Sequence, residues 1–332
     1  MHLACHAASL AWLTLAASAA PPYHPLEVSG RPVESLTFEV EDRDRGRTIP
    51  LRVYLPPEGE AAPVVLFSHG LGGSRDNNPY LGRHWAGRGY AVVFVQHPGS
   101  DEEVWKDVRP AQRMPAMRRA ASMNNYLDRT KDVPAVLDAL AGWNERDSHA
   151  LHGRLELDHV GMSGHSFGAQ TTQALAGQRA ARGRFSARDA RIDAAVMMSP
   201  SPPAHGDPGP AFAGVEIPCL LLTGTLDKSL IAGTTPEERL EVFPQLKRAP
   251  AWQLVLDGAD HMDFGERSRL GRRTRDPRYH RAILALTTAF WDATLKQDAA
   301  ARAWLDGKGA RSVLRPADRW QRNPAAAPPS RD

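Results

Sequence analysis

Gly164-His165-Ser166-Phe167-Gly168 sets a serine between two glycines, after an apolar run ending near Met162 and before the small-residue stretch Gly168-Ala169-Gln170-Thr171-Thr172. A serine in that setting reads as a nucleophile on a sharp strand-to-helix turn. The glycines serve where strand and helix crowd each other, and the first N–H groups of the helix face any negative charge that develops on a bound carbonyl. The competing reading is a structural glycine turn with an incidental serine. A hydroxyl is a poor nucleophile at neutral pH, so it needs a base, and the base needs a carboxylate to fix its tautomer. The expected chain order is serine, acid, histidine. Asp227, ending Leu222-Thr223-Gly224-Thr225-Leu226-Asp227, is the acid, and His261, in Asp257-Gly258-Ala259-Asp260-His261-Met262, is the base. Asp227 also reads as a turn cap. Asp257 and Asp260 compete for the acid role, although they are so close to His261 in sequence that reaching its far ring nitrogen is awkward.

An oxyanion site needs two N–H donors. One is expected from Phe167, after the serine, and the other from Phe67-Ser68-His69-Gly70-Leu71-Gly72-Gly73, with Leu71 the first choice and Gly70 the next. His69 and His165 read as structural supports. Trp105, Met114 and Met117, within the Met- and Arg-rich segment 99–126, read either as an apolar lining over the site or as ordinary helix packing. Arg267 to Arg278 carries six arginines and reads as a solvated loop, with contact to an anionic group as the alternative.

The elements that must position these residues are short apolar runs alternating with helical patterns. Eight strands are expected, near Ser35–Glu41, Thr48–Leu55, Ala62–His69, Ala91–His97, His159–Ser163, Asp193–Ser199, Cys219–Gly224 and Trp252–Leu256. The first two alternate in polarity and suit an antiparallel hairpin at a sheet edge. The others are near-continuous apolar runs, which call for a parallel sheet covered on both faces. Helices are expected at Asn78–Arg88, Gln112–Asn124, Thr130–Trp143, Phe167–Ala180, Pro236–Leu246 and His280–Leu295. The last places Ile283, Leu286, Ala289, Phe290 and Ala293 on one face. Pro200 to Pro210, with five prolines, reads as a loop, and Asn323 to Asp332 as a frayed tail.

With 332 residues, 42 % hydrophobic and 24 % charged, one large α/β domain accounts for the chain. A net charge of +3 is too diffuse to make nucleic acid the default partner. Leu10 to Ala17 is apolar and leads into Ala17-Ser18-Ala19, which suits a signal peptide over residues 1–19 and a periplasmic or secreted protein, despite an n-region without Lys or Arg. No later segment reads as a membrane helix. Cys5 and Cys219 are the two cysteines; cleavage would remove the first, and Cys219 reads as a small buried hydrophobe. Without paired cysteines or a His-Glu-x-x-His segment, no metal or other cofactor is expected.

Phe67-Ser68-His69-Gly70-Leu71-Gly72-Gly73-Ser74-Arg75, the run His84 to Val93, His97-Pro98-Gly99-Ser100-Asp101 and Gly164-His165-Ser166-Phe167-Gly168 together resemble the α/β-hydrolase superfamily. Within it they resemble the bacterial dienelactone-hydrolase-like group that is similar to platelet-activating-factor acetylhydrolases. The resemblance spans roughly Ser35 to Leu295. It implies an eight-stranded, mostly parallel α/β-hydrolase sheet and a metal-independent serine hydrolase. Such an enzyme cleaves small carboxylic esters through an acyl-enzyme, with the triad Ser166, Asp227 and His261. A thioesterase, amidase or polyester hydrolase would use the same machinery, and a binding protein on the same scaffold is the alternative from another class. Dienelactone hydrolases proper look to a cysteine nucleophile, so Ser166 argues against that activity. No apolar surface helix suited to docking on lipid particles is apparent. The expected organisation is a linker over 20–34, the hydrolase domain over 35–298 with 99–126 as a possible cap, and a C-terminal helix and disordered tail over 299–332.

Overall fold

The computed structural model describes residues 22–57, 61–180, 185–204, 206–266 and 276–323. The expected leader at 1–19, most of the arginine-rich run (267–275) and the tail from 324 onward lie outside the described residues. Nine strands form one sheet: β1 Glu34–Asp42, β2 Arg47–Leu55, β3 Ala62–Ser68, β4 Ala91–Val95, β5 Leu155–His165, β8 Ile192–Met198, β9 Cys219–Leu226, β10 Ala251–Asp260 and β11 Arg319–Arg322, in the order β1-β2-β4-β3-β5-β8-β9-β10-β11. A separate two-residue ribbon joins β6 Arg179–Ala180 to β7 Phe185–Ser186. β1 and β2 pair antiparallel at one edge, and the six strands from β4 to β10 across the sheet are parallel.

Side chains of the central strands alternate between two apolar layers because a strand has a period of two. Val65, Phe67, Val92, Phe94, Val196, Leu220 and Leu222 face α1 (Pro79–Gly87) and α7 (Pro277–Thr294), where Trp85, Ile283, Leu286, Phe290 and Trp291 are buried. Val64, Leu66, Val93 and Val95 face the opposite way, onto Val133, Val136, Leu137 and Leu140 of α3 (Met123–Glu145). Ala195, Met197, the buried Cys219 and Leu221 continue that layer against Ala169 of α4 (Phe167–Leu175). This is the α/β-hydrolase fold. No helix among the described residues is long and apolar enough to cross a membrane.

Several local expectations are corrected. The sheet has nine strands rather than eight, because β11 pairs antiparallel with β10 through Val255↔Arg319, Leu254↔Trp320, Gln253↔Gln321 and Trp252↔Arg322. Asn323, expected to begin a frayed tail, instead donates from its side chain to the carbonyls of Leu246 and Ala249 and accepts from the Ala251 N–H. The proline-rich segment is not all loop: the Asp207 side chain accepts from the Gly209 N–H and starts α5 (Pro208–Phe212) with a proline in the first turn. The expected long helix from Phe167 stops at Leu175, and Gly177 turns the chain away with φ 118°. α2 spans Pro110–Ala120, and Ser122 caps α3 by accepting from the Asn125 N–H, so α3 begins before Thr130. α6 is one short turn, Pro236–Leu240, opened by a capping box from Thr235 and Glu238. α8 (Ala299–Asp306) and α9 (Lys308–Arg311) lead into β11. Within the expected linker, the Ser29 N–H donates to Gly87 O, and the Tyr23 hydroxyl donates to the buried Asp292 carboxylate, 2.6 Å away.

Candidate active site

The chain leaves β3 toward β4 on one side of the sheet and returns to β5 on the other. The carboxyl ends of β3 and β5 are therefore a topological switch point, the place where ligands of open α/β sheets bind. Ser166 lies there, at the junction of β5 and α4, with φ 57° and ψ −113°. For a side chain that is a strained conformation, held by the tight turn around it. A Cβ on Gly164 would stand 2.3 Å from Gly168 O, and one on Gly168 would stand 1.9 Å from Ser68 O. Both positions exclude any larger residue, which is why glycines bracket the serine.

Ser166 Oγ lies 2.9 Å from His261 Nε2, and His261 Nδ1 lies 2.7 Å from Asp227 Oδ1. Because the carboxylate can only accept, Nδ1 carries the hydrogen and Nε2 is left with a lone pair for the serine proton. β9 and β10 carry Asp227 and His261 to the same rim, with Leu226 paired to Asp260 beyond a bulge. Close approach of these strands requires Gly224, where a Cβ would stand 2.2 Å from Ala259 O. Asp227, not Asp257 or Asp260, reaches the imidazole; an Asp260 oxygen takes the Met262 N–H instead.

Asp227 is completely buried, and its charge is held by an array that its sequence neighbourhood does not advertise. Ser199 Oγ and Thr223 Oγ1 donate to Oδ2 at 2.7 and 2.9 Å, and Arg239 Nε lies 3.0 Å from Oδ1. Burial pushes its pKa upward, yet the His261 bond and charge, Arg239 and Ser199 outweigh that and hold it at about 2. The buried Arg239 also donates to the carbonyls of Asp227, Ser199 and Pro200, so it ties the ends of β8 and β9 together. Ser199 adopts φ 60°, a left-handed turn that swings it toward Asp227.

The loop after β3 folds back onto the serine. A Cβ on Gly70 would contact Ser166 Cβ at 3.5 Å and His165 O at 3.4 Å. The N–H groups of Leu71 and Phe167 donate to no acceptor among the described residues, whereas Gly72 N–H and Gly73 N–H are taken by Ser100 O and Gly70 O. Trp105 Nε1 donates to Gly72 O at 2.8 Å, and Met117 crowds the same glycine, so Trp105 and Met117 border this loop. Met114, one turn earlier, is 41 % exposed. The His165 ring lies beside that of His261 with centroids 4.7 Å apart and planes inclined by 39°, and its buried Nε2 has no hydrogen-bond partner among the described residues. Burial, then the neighbouring His261, holds it neutral with a pKa of about 3.

A second Ser–His–Asp line lies close by, and nothing in the local sequence marks it. Ser68 Oγ is 2.8 Å from His97 Nε2, and His97 Nδ1 is 2.9 Å from Asp132 Oδ2. All three residues are completely buried, so this hydroxyl is out of reach of a substrate. Burial and Arg129 push His97 down to about 4 against the pull of Asp132. Asp132 itself is held at about 2, against its burial, by His97 and Arg47. His69 is coupled to this line: its Nε2 accepts the His97 N–H, which leaves its Nδ1–H to donate to Gly70 O at 2.7 Å.

Residues 53–103 match the family model described as platelet-activating factor acetylhydrolase, isoform II. The match runs from β2 through the loop after β3 to Glu103, and it includes Ser68, His69, Leu71 and His97. Ser166, Asp227 and His261 lie beyond it. No curated protein matches the chain.

Proposed function

We propose that the protein is a serine hydrolase that cleaves small carboxylic esters, with Ser166, His261 and Asp227 as its catalytic triad. In this reading Ser166 Oγ attacks the acyl carbon while His261 Nε2 takes its proton, and the imidazolium is stabilised by Asp227. The N–H groups of Phe167 and Leu71 hold the oxyanion. His261 then protonates the departing alcohol, and the acyl group stays on Ser166. A water molecule, activated by His261, attacks the acyl-enzyme; the acid leaves and Ser166 regains its proton. Trp105 and Met117, with Met114 at the outer edge, would line the pocket for the substrate, and the acetylhydrolase-like stretch favours an ester over other acyl compounds.

The observation that carries this reading is the unbroken line Ser166 Oγ–His261 Nε2–His261 Nδ1–Asp227 Oδ1, at 2.9 and 2.7 Å, beside two backbone N–H groups that have no acceptor among the described residues. A fluorophosphonate probe tests it. Wild-type protein should label at one serine and hydrolyse p-nitrophenyl esters, and Ser166→Ala should do neither. Wild-type protein that stays unlabelled and inert toward a panel of chain lengths would defeat the proposal.

A further inference from the structure

Arg129, on α3, is completely buried, and no carboxylate among the described residues lies within ion-pair distance of it. A guanidinium is costly to bury in that state, so its donors and its ring contact define what it is for. Nη1 donates to His69 O at 2.8 Å, Nε donates to Ser100 Oγ at 2.8 Å, and Cζ stands 4.5 Å from the centre of the Phe167 ring. Nη2 lies 3.2 Å from His69 Nδ1, a contact rather than a bond because that nitrogen already carries the hydrogen given to Gly70 O.

We propose that Arg129 is a positioning residue that sets the two backbone donors of the oxyanion site relative to each other, with the buried Ser68–His97–Asp132 line as the frame that holds it in register. The proposal rests on the ester-hydrolase reading above. Leu71 is two residues beyond His69, and Phe167 is the other donor, so one planar side chain touches the segment that carries each. Ser100 adds a third point, because its carbonyl accepts the Gly72 N–H from the same loop. A guanidinium can donate to two segments at fixed angles, His69 and Ser100, while its carbon lies over the Phe167 ring, which a lysine ammonium cannot reproduce. His69 is pinned from the far side by the His97 N–H, and the His97 ring is itself pinned between Ser68 and Asp132. The buried Ser–His–Asp line thus performs no chemistry and keeps the loop after β3 from sliding along β4.

The test is the kinetics of Arg129→Lys and Arg129→Met, counted per site titrated by the fluorophosphonate. Displaced oxyanion donors act on the transition state and not on the bound ester, so kcat should fall about 10- to 100-fold while KM moves less than about threefold. Affinity for a trifluoromethyl ketone, whose adduct places an oxyanion in the site, should fall in parallel with kcat/KM. Arg129→Lys should be nearly as impaired as Arg129→Met, since the fork rather than the charge does the bridging. Arg129→Lys with wild-type kcat, or losses confined to KM, would overturn the proposal. Should the Arg129 variants fail to fold, Ser100→Ala and Phe167→Leu each remove one contact and should lower kcat about 3- to 10-fold at near-constant KM. If both leave kcat unchanged, the proposal falls. Wild-type protein that neither labels nor turns over would instead remove the hydrolase reading on which it stands.

Discussion

Two Ser–His–Asp lines of nearly the same dimensions exist in one chain, and what separates them is exposure, not geometry. The Ser166 line runs from an accessible hydroxyl to a buried carboxylate, with 16 % of the His261 side chain open to solvent, whereas Ser68, His97 and Asp132 are all sealed. Labelling should therefore vanish altogether in Ser166→Ala, with no residual signal at Ser68. The acid of the open line is under a further constraint. Asp227 can only accept, which forces the hydrogen of His261 onto Nδ1; an amide in its place donates to Nδ1 and moves the hydrogen to Nε2, where it faces Ser166. Asp227→Asn should thus lower kcat on the order of 10⁴-fold with a folded protein and a small change in KM. A loss under tenfold, alongside a large one in Asp260→Asn, would assign the acid elsewhere.

At the scale of elements, the closest backbone approach at any described glycine is where β5 turns into α4 against the end of β3. Gly168→Ala would drive a methyl into Ser68 O, so soluble protein should be scarce, or inactive where it is obtained. Gly142, exposed on α3 with open space around it, is the contrast. Gly142→Ala should raise stability by about 0.5–1 kcal/mol in denaturant titration and leave turnover unchanged. A destabilised Gly142→Ala, or an active and stable Gly168→Ala, would contradict these packing assignments. The same contrast explains what was legible in the sequence. β3, β4, β8 and β9 are buried on both faces and show as apolar runs, and β1 and β2 as alternation, so eight strands and the turn at Ser166 are readable from residue types alone. β11 is Arg-Trp-Gln-Arg and is held by main-chain pairing to β10, which leaves no side-chain signature. α5 hides among prolines because one N-cap and a first-turn proline suffice to start a single turn. Ser166, Asp227 and His261 are legible because each follows an apolar strand. Ser199, Arg239 and Arg129 are not, since their roles exist only through bonds to partners outside their own sequence segment, 28 residues apart for Ser199 and Asp227 and 60 for Arg129 and His69.

At the scale of the whole molecule, four groups in and around the site, His97, His165, Asp132 and Asp227, share one electrostatic tendency: each binds its proton more weakly in the folded chain than outside it. His97 is held at about 4, by burial and Arg129 against Asp132, and His165 at about 3, by burial and His261. Asp132 and Asp227 are both at about 2, where bonds and nearby cations overcome burial. A folded-state pKa below the unfolded value means that the unfolded chain takes up more protons on acidification, so all four groups destabilise the fold in the same direction. The histidine share is fully present above about pH 6.5 and is lost as the pH falls toward 4 and below. The carboxylate share is present above about pH 4 and is lost toward pH 2. At about 1.4 kcal/mol for each pH unit of depression, even part of these shifts amounts to several kcal/mol for a domain whose total stability is of order 10. The thermal midpoint, followed by circular dichroism, should therefore be flat from about pH 8 to 7. It should drop by about 5–10 °C on reaching pH 4.5, and fall further below pH 4. His97→Asn should lower the midpoint at neutral pH, because Ser68 loses its side-chain partner and Asp132 one of its several, yet make the segment between pH 6.5 and 4 shallower. A midpoint that stays level from pH 7 to pH 4, or a His97→Asn profile parallel to wild type, would show that the buried imidazoles are not neutral in the fold.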